Sequence, residues 1–429
     1  MSRPASETAV STPSTLAPAR RGGKGVASVT GPGRAAWGAA EEGRAVTTGL
    51  DRRLRLLQAA ALTSTCDRFA IAPLLVVISM DLGASLAAVA TVASVYFLAY
   101  GLMQPVWGLV SDRIGRVRVM RIALIGAALG GVGSVLAPDL LTLGITRAVA
   151  GGSFAALIPS TLVYVGDAWP AAVRQRPLSD VLAASSLGVA AATAGAGLLA
   201  DLVGWRAVPA ATAAAAVVLW FALARLPEPD REPTAGNPWQ SLRGVLRTPW
   251  ALAVLALAFA EGIVVLGVLT YLAPAAQSLG TSATVAGLVA AGYGVGALVW
   301  SRLVRRLVGR VPPAGLAAVG GMFLVAAWIV PWVALNLVTI TVAGVLVGGA
   351  WAFLHSTLQT WVTEVVPAER ASAVALFAAS LFLGSAAGTA LFAPLAEAGA
   401  YPLVFGLAVA AAVPVAVLSA VGRRAYART

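Results

Sequence analysis

Twelve stretches of this 429-residue chain are apolar for about twenty residues each, and this repetition constrains the fold more than any other feature. A bilayer hydrocarbon core of roughly 30 Å needs about that many helical residues to cross it. The runs fall near 56–80, 87–110, 119–137, 140–164, 179–200 and 205–226. After one long polar interruption they resume near 249–273, 283–301, 314–335, 337–362, 373–395 and 402–422. Lipid offers no partner to backbone N–H and C=O groups, so each run is read as an α-helix that satisfies its own. Composition agrees: 59% of residues are hydrophobic and 11% charged, where soluble domains carry roughly a quarter charged. The expected fold is an all-α membrane protein of twelve transmembrane helices.

A formal net charge of +12 would suit a nucleic-acid binder, but the arginines sit mostly in short loops between the apolar runs. No nucleic-acid partner is expected. Arg113, Arg116, Arg118, Arg121, Arg174, Arg176, Arg231, Arg243, Arg247, Arg302, Arg305, Arg306, Arg310 and Arg370 fall in alternate loops. The opposite loops carry no Lys or Arg except Arg206. By the positive-inside rule both termini face the cytoplasm, and a bacterial inner (cytoplasmic) membrane is the expected location. The chain divides accordingly into a disordered basic tail 1–53, a six-helix bundle 54–226, a cytoplasmic linker 227–248, a second six-helix bundle 249–422 and a tail 423–429. The Ser-, Pro- and Gly-rich start lacks the apolar core of a cleavable signal. The second half of the linker reads as a short interfacial amphipathic helix. A single cysteine, Cys66, allows no disulfide and no thiol metal site. No metal or organic cofactor is expected, and no nucleophile–base set or phosphate loop suggests an enzyme.

The halves repeat. GGSFAALIPSTLVYVGDAWP (Gly151–Pro170) aligns with GGAWAFLHSTLQTWVTEVVP (Gly348–Pro367), setting Asp167 on Glu364. LLADLVGW (Leu198–Trp205) aligns with PLAEAGAY (Pro394–Tyr401), setting Asp201 on Glu397. Two pseudo-symmetric six-helix bundles are therefore expected.

The loop after the second run reads Gly108-Leu-Val-Ser-Asp112-Arg113-Ile-Gly115-Arg116-Val-Arg118. It resembles the signature loop of the major facilitator superfamily. The resemblance covers residues 54–422 and implies the twelve-helix transporter fold and transport by alternating access, with a proton as a common coupling ion. In that reading Gly108, Asp112, Arg113, Gly115 and Arg116 form a cytoplasmic gating cluster. The glycines give close approach and a tight turn, and Asp112 accepts from nearby arginines and a facing helix N-terminus. The equivalent loop after the eighth run has Ser301 in place of the acid. Leu143-Gly-Ile-Thr-Arg147-Ala-Val-Ala-Gly151 is similar to the family's helix-4 motif, whose arginine is implicated in proton handling. Gly188–Gly197 is similar to the helix-5 motif of efflux members but lacks its proline.

Ionisable residues inside the apolar runs are expensive and mark candidate pathways. Asp67 lies roughly 18 Å from the cytoplasmic end of its helix, and Arg147 roughly 10 Å from the far end of its own. Their similar depth predicts a pair, either a proton-handling one or a static structural one. Arg68 follows Asp67 directly. Glu261 takes the place of Asp67 in the second half, where Gly344 stands at the counterpart of Arg147 and leaves no charged partner in sight. His355, the one histidine, is a candidate relay or a hydrogen-bonded core residue. Asp67, Arg68, Arg147, Glu261 and His355 are thus the candidate proton and substrate pathway. The expected function is proton-coupled efflux (antiport) of a small organic molecule by a monomer in the lipid bilayer. Proton-coupled or facilitated uptake of an anionic metabolite, and a non-transporting receptor or scaffold, are the alternatives.

Overall fold

The computed structural model describes residues 34–170, 172–229 and 238–428. Among the described residues, eleven helices are long and apolar enough to cross a membrane: α1 (Leu50–Leu82), α2 (Leu86–Ile114), α3 (Arg116–Leu136), α4 (Leu140–Ala168), α5 (Gln175–Val203), α7 (Pro249–Gln277), α8 (Ala283–Leu307), α9 (Pro313–Val333), α10 (Leu337–Val365), α11 (Pro367–Glu397) and α12 (Tyr401–Tyr426). The expected sixth run forms the shorter apolar helix α6 (Ala207–Leu223). No β-strand occurs among the described residues.

The first helix starts earlier than expected. It runs from Arg34 to Phe69, so residues 34–53, expected as tail, are helical. Ala, Glu and Arg are strong helix formers and fill much of that stretch. Residues 1–33 of the expected tail lie outside the described residues. In the linker a helix spans Pro238–Arg247, with Val245 buried and Trp239 and Leu246 exposed.

The internal repeat is visible in the packing. In the first half α2 packs on α4, α3 on α6 and α3 on α4; in the second, α8 packs on α10, α9 on α12 and α9 on α10. The halves meet through two symmetry-related seams, α2 against α11 and α5 against α8. Helix starts repeat too. Ser85 and Ser282 accept from amides in the first turns of α2 and α8, and Asp139 and Asn336 do so for α4 and α10. These caps satisfy amides that a helix start leaves orphaned. The Thr142 amide holds the Asp139 carboxyl below its usual range.

One end of the molecule carries the arginine-rich loops, and the seams close toward the other. At the arginine-poor end the Asp201 carboxylate, in the last turn of α5, accepts from Thr284 N (2.7 Å) and Oγ1 (2.6 Å) at the start of α8. Glu397, at the end of α11, accepts from Ala87 N at the start of α2 (3.3 Å). Deeper along the same seams, Ser94 Oγ donates to Ala386 O at 2.7 Å. A Cβ on Gly197 would lie 2.1 Å from the Ala283 carbonyl, an approach only glycine permits. Gly108, nearer the arginine-rich end of α2, has open space beside it. Arg206, the one cation in the opposite loops, is paired with Asp81 at 2.5 Å.

Candidate functional site

Several helices are interrupted at mid-depth, and Asp67, Glu261 and His355 sit at the interruptions or within two residues of them. α1 breaks after Phe69 into a 3-10 turn, Ala72–Leu74. α4 breaks at Ala155 and Ala156. α7 contains a π-helical turn at Ile263–Gly267 and α10 another at Trp351–His355. Such turns free backbone groups and re-aim side chains, and they recur at functional sites.

The structure brings Asp67 and Arg147 together. Arg147 Nη2 lies 2.6 Å from Asp67 Oδ2 and Nη1 3.1 Å from Oδ1, a two-pronged pair. Thr212 of α6 donates to Asp67 Oδ1 at 2.8 Å. Asp67 is 2% exposed and Arg147 6%. The guanidinium also stacks over the Tyr96 ring, 4.8 Å from its centroid. A cavity lies on the arginine-poor side of the pair, lined by Asp67, Ile71, Leu74, Arg147, Trp205 and Pro209. Breaking a buried pair by removing one partner costs about 3–5 kcal/mol, because it strands the other charge.

Glu261 departs from its expected isolation. It is 0% exposed, and its Oε2 lies 3.2 Å from His355 Nδ1. The repeat of the first half points to a different place on α10. His355 ends the α10 turn and Glu261 precedes the α7 turn, so the pair forms well away from the level of Gly344, where a repeat of Arg147 would sit. The His355 ring stacks on Trp351 with centroids 3.6 Å apart and 10° between planes. In the second half, Trp328 and Trp361 are buried, Trp332 is half exposed, and Trp351 joins this stack.

Arg68 points elsewhere from its neighbour Asp67. Its Nη1 donates to the Tyr100 hydroxyl at 3.2 Å, and its guanidinium lies 4.9–5.2 Å from the rings of Phe69, Tyr100 and Phe382. Phe382 belongs to α11, so this residue bridges the halves. Aromatic contacts continue from Phe69 to Tyr293 (5.7 Å) and from Tyr293 to Trp351 (6.3 Å). They join the Arg68 region to the Glu261–His355 pair.

The gating loop forms a charge cluster at the arginine-rich end. Gly115 separates α2 from α3 with φ +114°. Arg116 pairs with Asp112 and with Asp167 at the end of α4. Glu228 of the linker accepts from the amides of Arg116, Val117 and Arg118 at the start of α3, where the helix dipole favours an anion. Glu228 was not among the expected site residues. Its signal was the first of a run of acids, Glu228, Asp230 and Glu232, directly after the last helix of the first half. Arg113 is exposed. In the second half Glu364, repeat partner of Asp167, pairs with Arg423 of α12.

A family model described as Major Facilitator Superfamily matches residues 58–389. The chain belongs to that superfamily. Over 132 residues it is 34% identical to a triacylglyceride transporter of Mycolicibacterium smegmatis, a match covering 30% of this chain and 24% of that protein. Over 185 residues it is 29% identical to a puromycin resistance protein of Streptomyces alboniger, covering 43% of this chain and 36% of that protein. These matches span only about a quarter to a third of the relatives' length. Among solved structures, a D-xylose–proton symporter superposes with a TM-score of 0.72 at 16% identity, covering 86% of this chain and 97% of that one. A bacterial homologue of the human lysosomal transporter Spinster gives 0.69 at 18% identity, covering 88% and 98%. At these identities the structures speak for the fold of this superfamily member.

Proposed function

We propose that this superfamily member is a secondary active transporter, not an enzyme, that exports a small organic compound across a bacterial cytoplasmic membrane by alternating access in exchange for protons. The observation that carries the reading is the buried Asp67–Arg147 pair at mid-depth, hydrogen-bonded by Thr212 and beside a cavity. A proton delivered to Asp67 would neutralise the carboxylate and release Arg147, so protonation and the packing of α1 on α4 and α6 are linked. Glu261 and His355 supply a second proton-holding pair in the other half. The seams closed at the arginine-poor end support a cytoplasm-facing state, given arginine-rich loops in the cytoplasm. The puromycin resistance relative supports export as the direction. A single chain in the bilayer would suffice, with protons as the coupling ion and no cofactor.

Everted membrane vesicles loaded with a pH-sensitive dye test the reading. With respiration acidifying the lumen, a panel of lipophilic cations, antibiotics and organic acids is added to wild type and to Asp67→Asn. The expected result is a compound that alkalinises the lumen with wild type alone. If no compound does so, coupled export is wrong. Arg68, which has no carboxylate partner among the described residues, favours the second reading, uptake of an anionic metabolite. Uptake of the same compounds by whole cells tests that one, and absence of flux in both directions leaves a receptor or scaffold.

A further inference from the structure

We propose that the cavity between the halves holds the anionic headgroup of a small amphiphile on the Arg68 guanidinium, and that such an amphiphile is the cargo. This rests on the transport reading above. The cavity is walled by Arg68, Phe69 and Ile71 from α1 and by Leu266, Thr270 and Tyr293 from the other half, with Thr193 and further apolar side chains between them. Arg68 is the one charged side chain on that wall. The remaining mid-depth charges have charged or ionisable partners: Asp67 has Arg147, with Thr212 besides, and Glu261 has His355 at Oε2, while its Oε1, like Arg68 Nε, has no hydrogen-bond partner among the described residues. Among the described residues no carboxylate lies within ion-pair reach of Arg68, and its buried Nε has no hydrogen-bond partner.

A guanidinium at this depth is costly, and three aromatic rings offset only part of the cost. A carboxylate, phosphate or sulfate group would complete the site, because the planar fork of donors matches two oxygens at once. The cavity of about 20 Å³ holds little more than a water in this state, so its apolar wall would take a hydrocarbon or aromatic body only as the halves part. A cationic cargo meets the opposite: a like charge on the wall and no carboxylate there. The aromatic contacts from Phe69 through Tyr293 and Trp351 to His355 place the Glu261–His355 pair next along from the anion site. Cargo binding and proton occupancy would therefore be read by neighbouring groups.

Octanoate, octanamide and octylamine share one apolar body and differ in charge. Their binding to the purified full-length protein in nanodiscs, corrected for protein-free nanodiscs, is measured under mildly alkaline conditions. The expected order is octanoate over octanamide by about tenfold or more, with octylamine weakest. Arg68→Gln should erase the octanoate advantage and Arg68→Lys should keep part of it. Equal binding of octanoate and octanamide by wild type overturns the site without recourse to any variant, as does an advantage that survives Arg68→Gln in folded protein. Counterflow in proteoliposomes separates the two readings. Arg68-dependent octanoate binding with no flux of any compound refutes the transport reading and leaves the anion site. Flux of neutral or cationic compounds, unaffected by octanoate and by Arg68→Gln, refutes the anion site and leaves transport.

Discussion

Asp201 and Thr284 join the last turn of α5 to the first turn of α8 through two hydrogen bonds, to Thr284 N at 2.7 Å and Oγ1 at 2.6 Å. The repeat partner Glu397 does the same for α2 through Ala87. Each carboxylate comes from one half and meets a helix N-terminus of the other, where orphan amides and the dipole favour negative charge. The two contacts form a symmetric latch at the arginine-poor end. Asp201→Asn with Glu397→Gln should weaken it and shift the protein toward opening at that end. Spin labels at Leu202→Cys and Val285→Cys, both exposed positions, in a Cys66→Ser background would report a longer distance distribution. An unchanged distribution would show that the backbone packing of α5 on α8 alone holds the end shut.

The Asp67–Arg147 pair yields a sign that a packing residue would not give. Arg147→Gln should lower stability by about 3–5 kcal/mol by stranding Asp67. Asp67→Asn combined with Arg147→Gln should recover much of that loss while leaving proton coupling abolished. Thermal unfolding in detergent, paired with the vesicle assay, checks both. Additive losses in the double variant would mean that the two side chains do not act as a unit.

The spanning helices were legible because hydrophobic run length decides them. α6, at 17 residues, came out clearly shorter than its apolar run 205–226, and α9, at 21, one residue shorter than 314–335. Asp67 and Arg147 were legible as a pair because depth along a regular helix can be counted from its ends. Glu261 and His355 were not, because the repeat points to Gly344, counterpart of Arg147, and His355 lies eleven residues further along α10. The Asp201–Glu397 equivalence was readable in the repeat, yet its role as a latch depends on which helix faces which. The matching caps Ser85 with Ser282 and Asp139 with Asn336 were also in the sequence. They were an unused signal for where α2, α8, α4 and α10 begin.

The Glu261–His355 contact predicts a coupling measurable by a double-mutant cycle. His355→Gln leaves the 0%-exposed Glu261 carboxyl without its imidazole, at a cost of about 1–3 kcal/mol. Once Glu261→Gln is present, the same change should cost far less. An interaction energy near zero would mean the 3.2 Å contact contributes nothing. In the vesicle assay Glu261→Gln is expected to shift the pH dependence of transport. A uniform loss of rate at every pH would instead assign Glu261 to packing.

Gly115 offers a test of the gating loop that separates two causes of strain. Its φ of +114° with ψ +158° lies in a region that is essentially glycine-only, costing other residues about 1–3 kcal/mol. A Cβ there would also lie 2.5 Å from the Glu228 carboxyl carbon, pushing away the group that caps α3. Gly115→Ala should therefore lose both backbone ease and the cap. Glu228→Ala alone should lose only the cap, about 1 kcal/mol. If the cap is what the new methyl displaces, adding Glu228→Ala to Gly115→Ala should cost almost nothing further. Full additivity in thermal unfolding would mean that Glu228 keeps its hold on the Arg116, Val117 and Arg118 amides despite the methyl group, and that the turn alone accounts for the loss.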